Sequence, residues 1–201
     1  ESTAGLLVTA SQVGYAVALA LLVPLGDTTE RRRLVSGLLL ATALTLTGAA
    51  FAPGLATLLA AVALVGLTSA VAQIVVPMSA SLADDRSRGS VVGTVMSGLL
   101  IGILLARTLA GLVAEVAGWR AVFGLAAVVM LVLAVVTRLV LPPVPAPEPD
   151  KSYPSLLRSV LTMIRADPVL RVRMALGAVG MGCFSVLWTA ISFLLAGPAY
   201  G

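Results

Sequence analysis

Long apolar runs recur along this chain, and nothing constrains its fold more. Crossing the hydrocarbon of a bilayer as helix takes roughly 20 apolar residues. Six segments qualify: 5–25, 34–52, 55–79, 90–117, 121–141 and 174–195. Each is rich in Leu, Val and Ala with scattered Gly, and none shows the apolar–polar alternation of a barrel strand. Of 201 residues, 11% are charged and 59% hydrophobic, against about 25% charged in a soluble domain. The fold class is therefore an all-α membrane protein with six transmembrane helices.

Composition also removes several chemistries. With no histidine, imidazole zinc sites, Ser-His catalysis and histidine proton relays are excluded. Cys183 is alone, so no intrachain disulfide forms, and it reads as a small buried apolar residue. No P-loop or dinucleotide fingerprint is present, no H-E-x-x-H, and no pair of embedded aspartates. No cofactor, metal or enzymatic activity is expected. The net charge of +4 reflects membrane topology rather than a nucleic-acid partner, because the basic residues flank apolar runs.

The connections carry the topology. Pro53-Gly54 is an uncharged turn, Gly118-Trp119-Arg120 a short one with an interfacial aromatic, and "ADDRSRG" (83–89) a charged one. "PPVPAPEPD" (142–150) is an extended proline linker. In 154–165, Leu156, Leu157, Val160, Leu161 and Ile164 share one face, with Arg158 and Arg165 off it, which predicts a helix lying in the membrane surface. Asp167-Pro168 reads as an N-cap and first helical residue. Assigning the gaps to alternate sides puts Arg31, Arg32, Arg33, Arg86, Arg88, Arg138, Lys151, Arg158, Arg165, Arg171 and Arg173 on one side and Arg120 on the other. The first side is cytoplasmic by the positive-inside rule, so loops 26–33, 80–89 and 142–173 face the cytosol. The first span opens almost at residue 1, a Glu, and the chain ends just past a span. A further helix is expected before Gly5 and several after Gly201.

Orientation accounts for the arginines of "VPLGDTTERRRLVSG" (23–37) but not for Asp27 and Glu30, since acids contribute little to it. The turn resembles motif A of the major facilitator superfamily, G-x-x-x-D-R-x-G-R-R/K, with Asp27 as the acid and Arg31 and Arg32 as the paired bases. Val23, Thr28 and Glu30 stand where the motif has Gly, Arg and Gly. The fourth span is similar to motif C of the same superfamily, G-x8-G-x3-G-x3-G-P-x2-G-G: Gly89, Gly98, Gly102, Ala106, Ala110 and Gly111 keep its spacing, with Arg107 in place of proline. "AGWRAVF" (117–123) resembles the junction after that helix. The arginine of motif B is absent, with Val62 at its position.

The resemblance implies helices two to seven of a twelve-helix carrier. Residues 1–141 would be most of the N-terminal half, 142–173 the central linker and 174–201 the first helix of the C-terminal half. It implies alternating access, export or antiport of a small-molecule substrate and protons as the candidate coupling ion; the Ala, Leu, Val and Gly bias points to a bacterial inner membrane. In it, Asp27, Arg31 and Arg32 form a gate, with Asp84, Asp85 and Arg86 as partners on the same side. Gly98, Gly102 and Ala106 share a helix face suited to close helix packing. Arg107 points the other way, to a cavity or to lipid, roughly 25 Å along its span at 1.5 Å per residue. An arginine in a cavity suits an anionic or carboxylate-bearing substrate, and one at the headgroups snorkels. Glu115 lies near the same stripe. Gln12, Tyr15 and Gln73, with Trp188 and Thr189 on the last span, are the other candidates for the substrate path, the alternative being helix-to-helix bonds. The second and fifth spans, nearly free of polar groups, are expected at the outside. The rival reading is a polytopic scaffold or regulatory subunit that does not transport.

Overall fold

The computed structural model of the protein describes residues 2–146 and 152–195. Every regular element among them is an α-helix: α1 Ser2–Thr28, α2 Arg31–Ala50, α3 Leu55–Thr68, α4 Val71–Leu82, α5 Arg88–Ala117, α6 Trp119–Val140, α7 Tyr153–Ala166 and α8 Pro168–Leu195. Six segments are long and apolar enough to cross a membrane: Gly5–Thr28, Arg31–Ala50, Leu55–Leu82, Arg88–Ala117, Trp119–Val140 and Pro168–Trp188. The all-α, six-span expectation holds. The chain divides into two compact units, Glu1–Tyr153 and Pro154–Gly201.

In the first unit the core gathers on α2. Val35, Leu38 and Leu39 are buried with Ile74 of α4 and Ala134 of α6. Half of the apolar window of α2 is buried, against none of α5. This corrects the expectation that the second span sits at the outside. Few polar groups mark a helix fit for lipid or for a core equally well, and α2 is enclosed by α3, α4 and α6.

The third span is not one helix. It breaks between Thr68 and Val71, and α4 then runs on to Leu82. The Ser69 N–H bonds back only three residues, to Gly66 O at 3.2 Å, which closes α3. A broken backbone at membrane depth leaves a carbonyl that no water can reach. Here the buried Thr42 hydroxyl of α2 shares its single proton between Leu38 O of its own helix, at 2.8 Å, and Thr68 O, at 3.1 Å. The Thr45 and Thr68 hydroxyls add a contact at 3.5 Å. A helix interruption is thus held by a neighbouring helix.

α1 and α3 approach until backbone meets backbone. A Cβ on Gly14 would strike the carbonyl of Ala63, and one on Gly66 would strike that of Ser11. Small residues at such a crossing replace the hydrophobic drive that lipid removes. Gly118 joins α5 to α6 at φ 80, in the left-handed region open to glycine, so α6 starts at once on Trp119.

In the second unit α7 confirms the amphipathic helix, and Leu156 on its apolar face is buried. Asp167 caps α8 as expected: its Oδ1 accepts from Val169 N–H at 2.8 Å and Leu170 N–H at 3.2 Å. The Phe184 and Trp188 rings stack with centroids 5.9 Å apart. Cys183 is exposed, not buried. Among the described residues none of the apolar window of α8 is buried. Lys151 and the end of the linker lie outside the described residues.

Thr42→Val keeps shape but strands the Thr68 carbonyl, so it should cost about 1–3 kcal/mol, read as a lower melting temperature in detergent. Gly66→Val should cost about 1–3 kcal/mol or more by overpacking against Ser11. Gly48→Ala, with no heavy atom within 4 Å of its Cβ position, should stay within about 0.5 kcal/mol of wild type.

Candidate functional site

α1 extends through Gly26 and Asp27 to Thr28 and α2 begins at Arg31. The loop expected over 26–33 is only Thr29 and Glu30. The Thr29 N–H still bonds to Leu25 O at 3.0 Å, which carries helical bonding to the corner. Three helices reach this corner with their C-terminal ends, each offering unpaired carbonyls.

The arginines answer those carbonyls. Arg31 Nε donates to Gly26 O of α1 at 3.4 Å, and its Nη1 to Ser81 Oγ of α4 at 3.4 Å. Arg32 Nη1 donates to Leu141 O at the end of α6, at 3.3 Å. Arg88 Nε donates to Ala80 O of α4 at 3.1 Å. At the opposite end of the helices Arg120 does the same for α2, with Nη2 on Ala52 O at 3.1 Å. Cations at helix C-termini also meet the negative end of the macrodipole. The segment after α6 completes the corner. Val144 O accepts the Arg31 N–H at 3.1 Å, satisfying a first-turn donor of α2. The Tyr153 hydroxyl donates to Leu21 O of α1 at 2.6 Å.

The two acids balance the cluster. Asp27 Oδ1 lies 3.7 Å from Arg31 Nη2; Asp27 is 52% exposed, so this pair contributes less than about 1 kcal/mol. Glu30 is held closer. Its Oε2 is 2.6 Å from Arg33 Nε and its Oε1 is 3.3 Å from Arg32 Nε. The latter contact is an ion pair without hydrogen-bond alignment, because both buried atoms lack a hydrogen-bond partner. Glu30 also stands at the N-cap of α2, where the helix dipole favours an anion.

Asp84, Asp85 and Arg86 do not join this cluster. Among the described residues no ion pair links them to Arg31 or Arg32, and Asp85 pairs with Arg88 at 2.9 Å. The link from α4 is Ser81, one turn earlier, because α4 continues to Leu82 and carries the acids past the corner. Sequence reasoning missed Ser81, Leu141 and Val144. The last two act through backbone carbonyls, which no side-chain pattern marks.

Beside the cluster a crevice of about 90 Å³ is lined by Val23, Gly26, Asp27, Arg31, Gln73, Ile74 and Pro77. Gln73 Nε2 donates to the Tyr15 hydroxyl at 3.1 Å, joining α1 and α4. Tyr15 and Gln73 are therefore brought together, and near the charged corner. Gln12, a turn earlier on α1, is exposed. Arg107 is on α5, which packs on α4 and α6. Leu99 shares a pocket with Val71 at the start of α4, and Arg107 lies about 12 Å further along α5 at 1.5 Å per residue. It is exposed, at a different depth from the Tyr15–Gln73 pair. Gly89, Gly98, Gly102 and Gly111 meet no heavy atom within 4 Å of a Cβ position. The packing expected of that face is not made by the helices described. Trp188 lies on α8, in the other unit. Among the described residues no three His, Cys, Asp or Glu cluster as a metal site would need.

Helix ends tied by arginine around a polar seam, within six lipid-length segments, define a multi-pass helical membrane protein. The sequence matches the family profile of the Major Facilitator Superfamily over residues 1–201, and the chain belongs to that family. A protein of Escherichia coli O157:H7 named "Uncharacterized transporter YgaY" is 49% identical over 199 residues, which cover 99% of this chain and 50% of that protein. "Probable transporter SCO4007" of Streptomyces coelicolor is 38% identical over 197 residues, 97% of this chain and 45% of the relative. "Uncharacterized MFS-type transporter YbcL" of Bacillus subtilis is 28% identical over 197 residues, 95% and 48% respectively. The chain spans about half the length of the curated relatives it matches. No solved structure matches.

A double-mutant cycle of Tyr15→Phe and Gln73→Leu should give a coupling energy of about 0.6 kcal/mol, and at most about 1.7, by chemical unfolding in bilayer-mimetic micelles.

Proposed function

We propose that this chain is part of a secondary transporter that moves a small molecule across a bacterial cytoplasmic membrane by alternating access, as an exporter or antiporter. Residues 1–141 supply helices of the N-terminal transmembrane half, 142–173 the central linker and 174–201 the first helix of the other half. The segments 26–33, 80–89 and 142–173 face the cytosol, a placement supported by the arginine distribution and by bacterial relatives.

The observation that carries this reading is the corner itself. At the position of the family's motif A, Arg31 and Arg32 tie the ends of α1, α4 and α6 together through bonds of 3.3–3.4 Å. Long, half-exposed bonds of this kind are individually weak, so a carrier can release them when it changes state. Asp27, Arg31 and Arg32 act as the gate, with Ser81 as the latch on α4. Tyr15, Gln73 and Gln12 border the substrate path, and Arg107 receives an anionic or carboxylate-bearing substrate from a different depth. Protons are the candidate coupling ion.

The test uses full-length protein in proteoliposomes and a panel of radiolabelled small carboxylates. Asp27→Asn should change turnover up to about fivefold, the effect of about 1 kcal/mol on a two-state balance, while half-saturation stays fixed. Arg107→Ala should raise half-saturation about tenfold or more, as expected for a lost hydrogen bond to a charged group. An unchanged half-saturation would assign Arg107 to the headgroups and remove it from the site.

A further inference from the structure

A groove between α2 and α6 is not used by the transport reading. Its mouth holds Arg33 and Arg138, and its volume is about 430 Å³. Gly37 and Ala134 keep the floor low, and Leu40 and Leu131 line the far part. Leu40 and Leu131 also line the next crevice along the same two helices, so the apolar channel continues toward Arg120.

Within this groove the charge is gathered at the mouth. The mouth belongs to a cluster in which Arg31, Arg32, Arg33 and Arg138 outnumber the carboxylates Asp27 and Glu30. Arg138 has no ion pair or hydrogen bond among the described residues, although it sits on the last turn of α6. Arg33 is 70% exposed and shares Glu30 with Arg32, so its charge is only partly offset. Below this cationic rim the walls are aliphatic. From Arg33 to Leu40 the groove descends about 10 Å at 1.5 Å per residue, within one leaflet of a core about 30 Å thick.

We propose that this groove binds an anionic membrane phospholipid, its phosphate between Arg33 and Arg138 and an acyl chain along Gly37, Ala134 and Leu131. Two guanidiniums at the edge of a bilayer-facing apolar channel complement one lipid chemistry: an anionic headgroup above a hydrocarbon tail. The groove is lined by α2 and α6, so it is separate from the Tyr15–Gln73 seam between α1 and α4. It does not depend on what the protein transports.

The test is native mass spectrometry of delipidated full-length protein in detergent. The protein is offered an equimolar mixture of dioleoyl phosphatidylglycerol and dioleoyl phosphatidylcholine. Phosphatidylglycerol should be retained over phosphatidylcholine by about fivefold or more. Arg33→Gln with Arg138→Gln should abolish that preference, and Arg33→Lys with Arg138→Lys should keep most of it. Gly37→Trp should fill the channel and lower retention of both lipids. Equal retention of the two lipids by wild type would overturn the proposal without recourse to any variant. Displacement of phosphatidylglycerol by soluble glycerol 3-phosphate would overturn it too, because the tail would then contribute nothing.

Discussion

A guanidinium on the C-terminal carbonyls of a helix is the interaction on which this structure depends. A spanning helix satisfies its own backbone except at its ends, where the last carbonyls need partners. Here Arg31, Arg32, Arg88 and Arg120 serve the ends of α1, α6, α4 and α2. A single residue type thus sets topology by its charge and closes helix ends by its geometry. Lysine would satisfy the positive-inside bias but lacks the planar fork that lets Arg31 reach α1 and α4 at once.

Glu30 makes the arginine cluster tolerable. Three consecutive guanidiniums at one helix start repel each other and oppose the dipole of α2. One carboxylate, 3.3 Å from Arg32 and 2.6 Å from Arg33, offsets part of that charge. Glu30 stands at the end of a turn of two residues, Thr29 and Glu30, between α1 and α2. Threonine plays the analogous part deeper down, where Thr42 accommodates the break between α3 and α4. The polar side chains that reach from one helix to another in this unit act chiefly on backbone ends, at the corner and at the break.

Much of the architecture was readable from residues. Span number, the amphipathic α7 and the Asp167 cap follow from hydropathy, periodicity and capping rules, because these are local properties. The break after Thr68 was not readable: hydropathy averages over residues and is blind to a backbone whose missing bonds a distant threonine supplies. Tyr15 and Gln73 stood out as polar groups in apolar runs, yet their pairing depends on how α1 packs on α4. Among the described residues Asp84 and Asp85 make no ion pair with Arg31 or Arg32, because α4 runs further than its apolar stretch. The open glycine face of α5 and the exposed Cys183 share one cause, since spacing identifies a surface fit for contact but not what comes to meet it.

The strand of chain that follows α6 is stitched to the corner at three points: Leu141, Val144 and Tyr153. Val144 occupies a first-turn donor of α2, and Tyr153 a carbonyl well inside α1. Traction on this strand would therefore arrive at the start of α2 and the end of α1 before it reached anything else. The three anchors hold this segment to helix ends and to the flank of α1, and none of them belongs to the buried cluster around Val35 and Ile74.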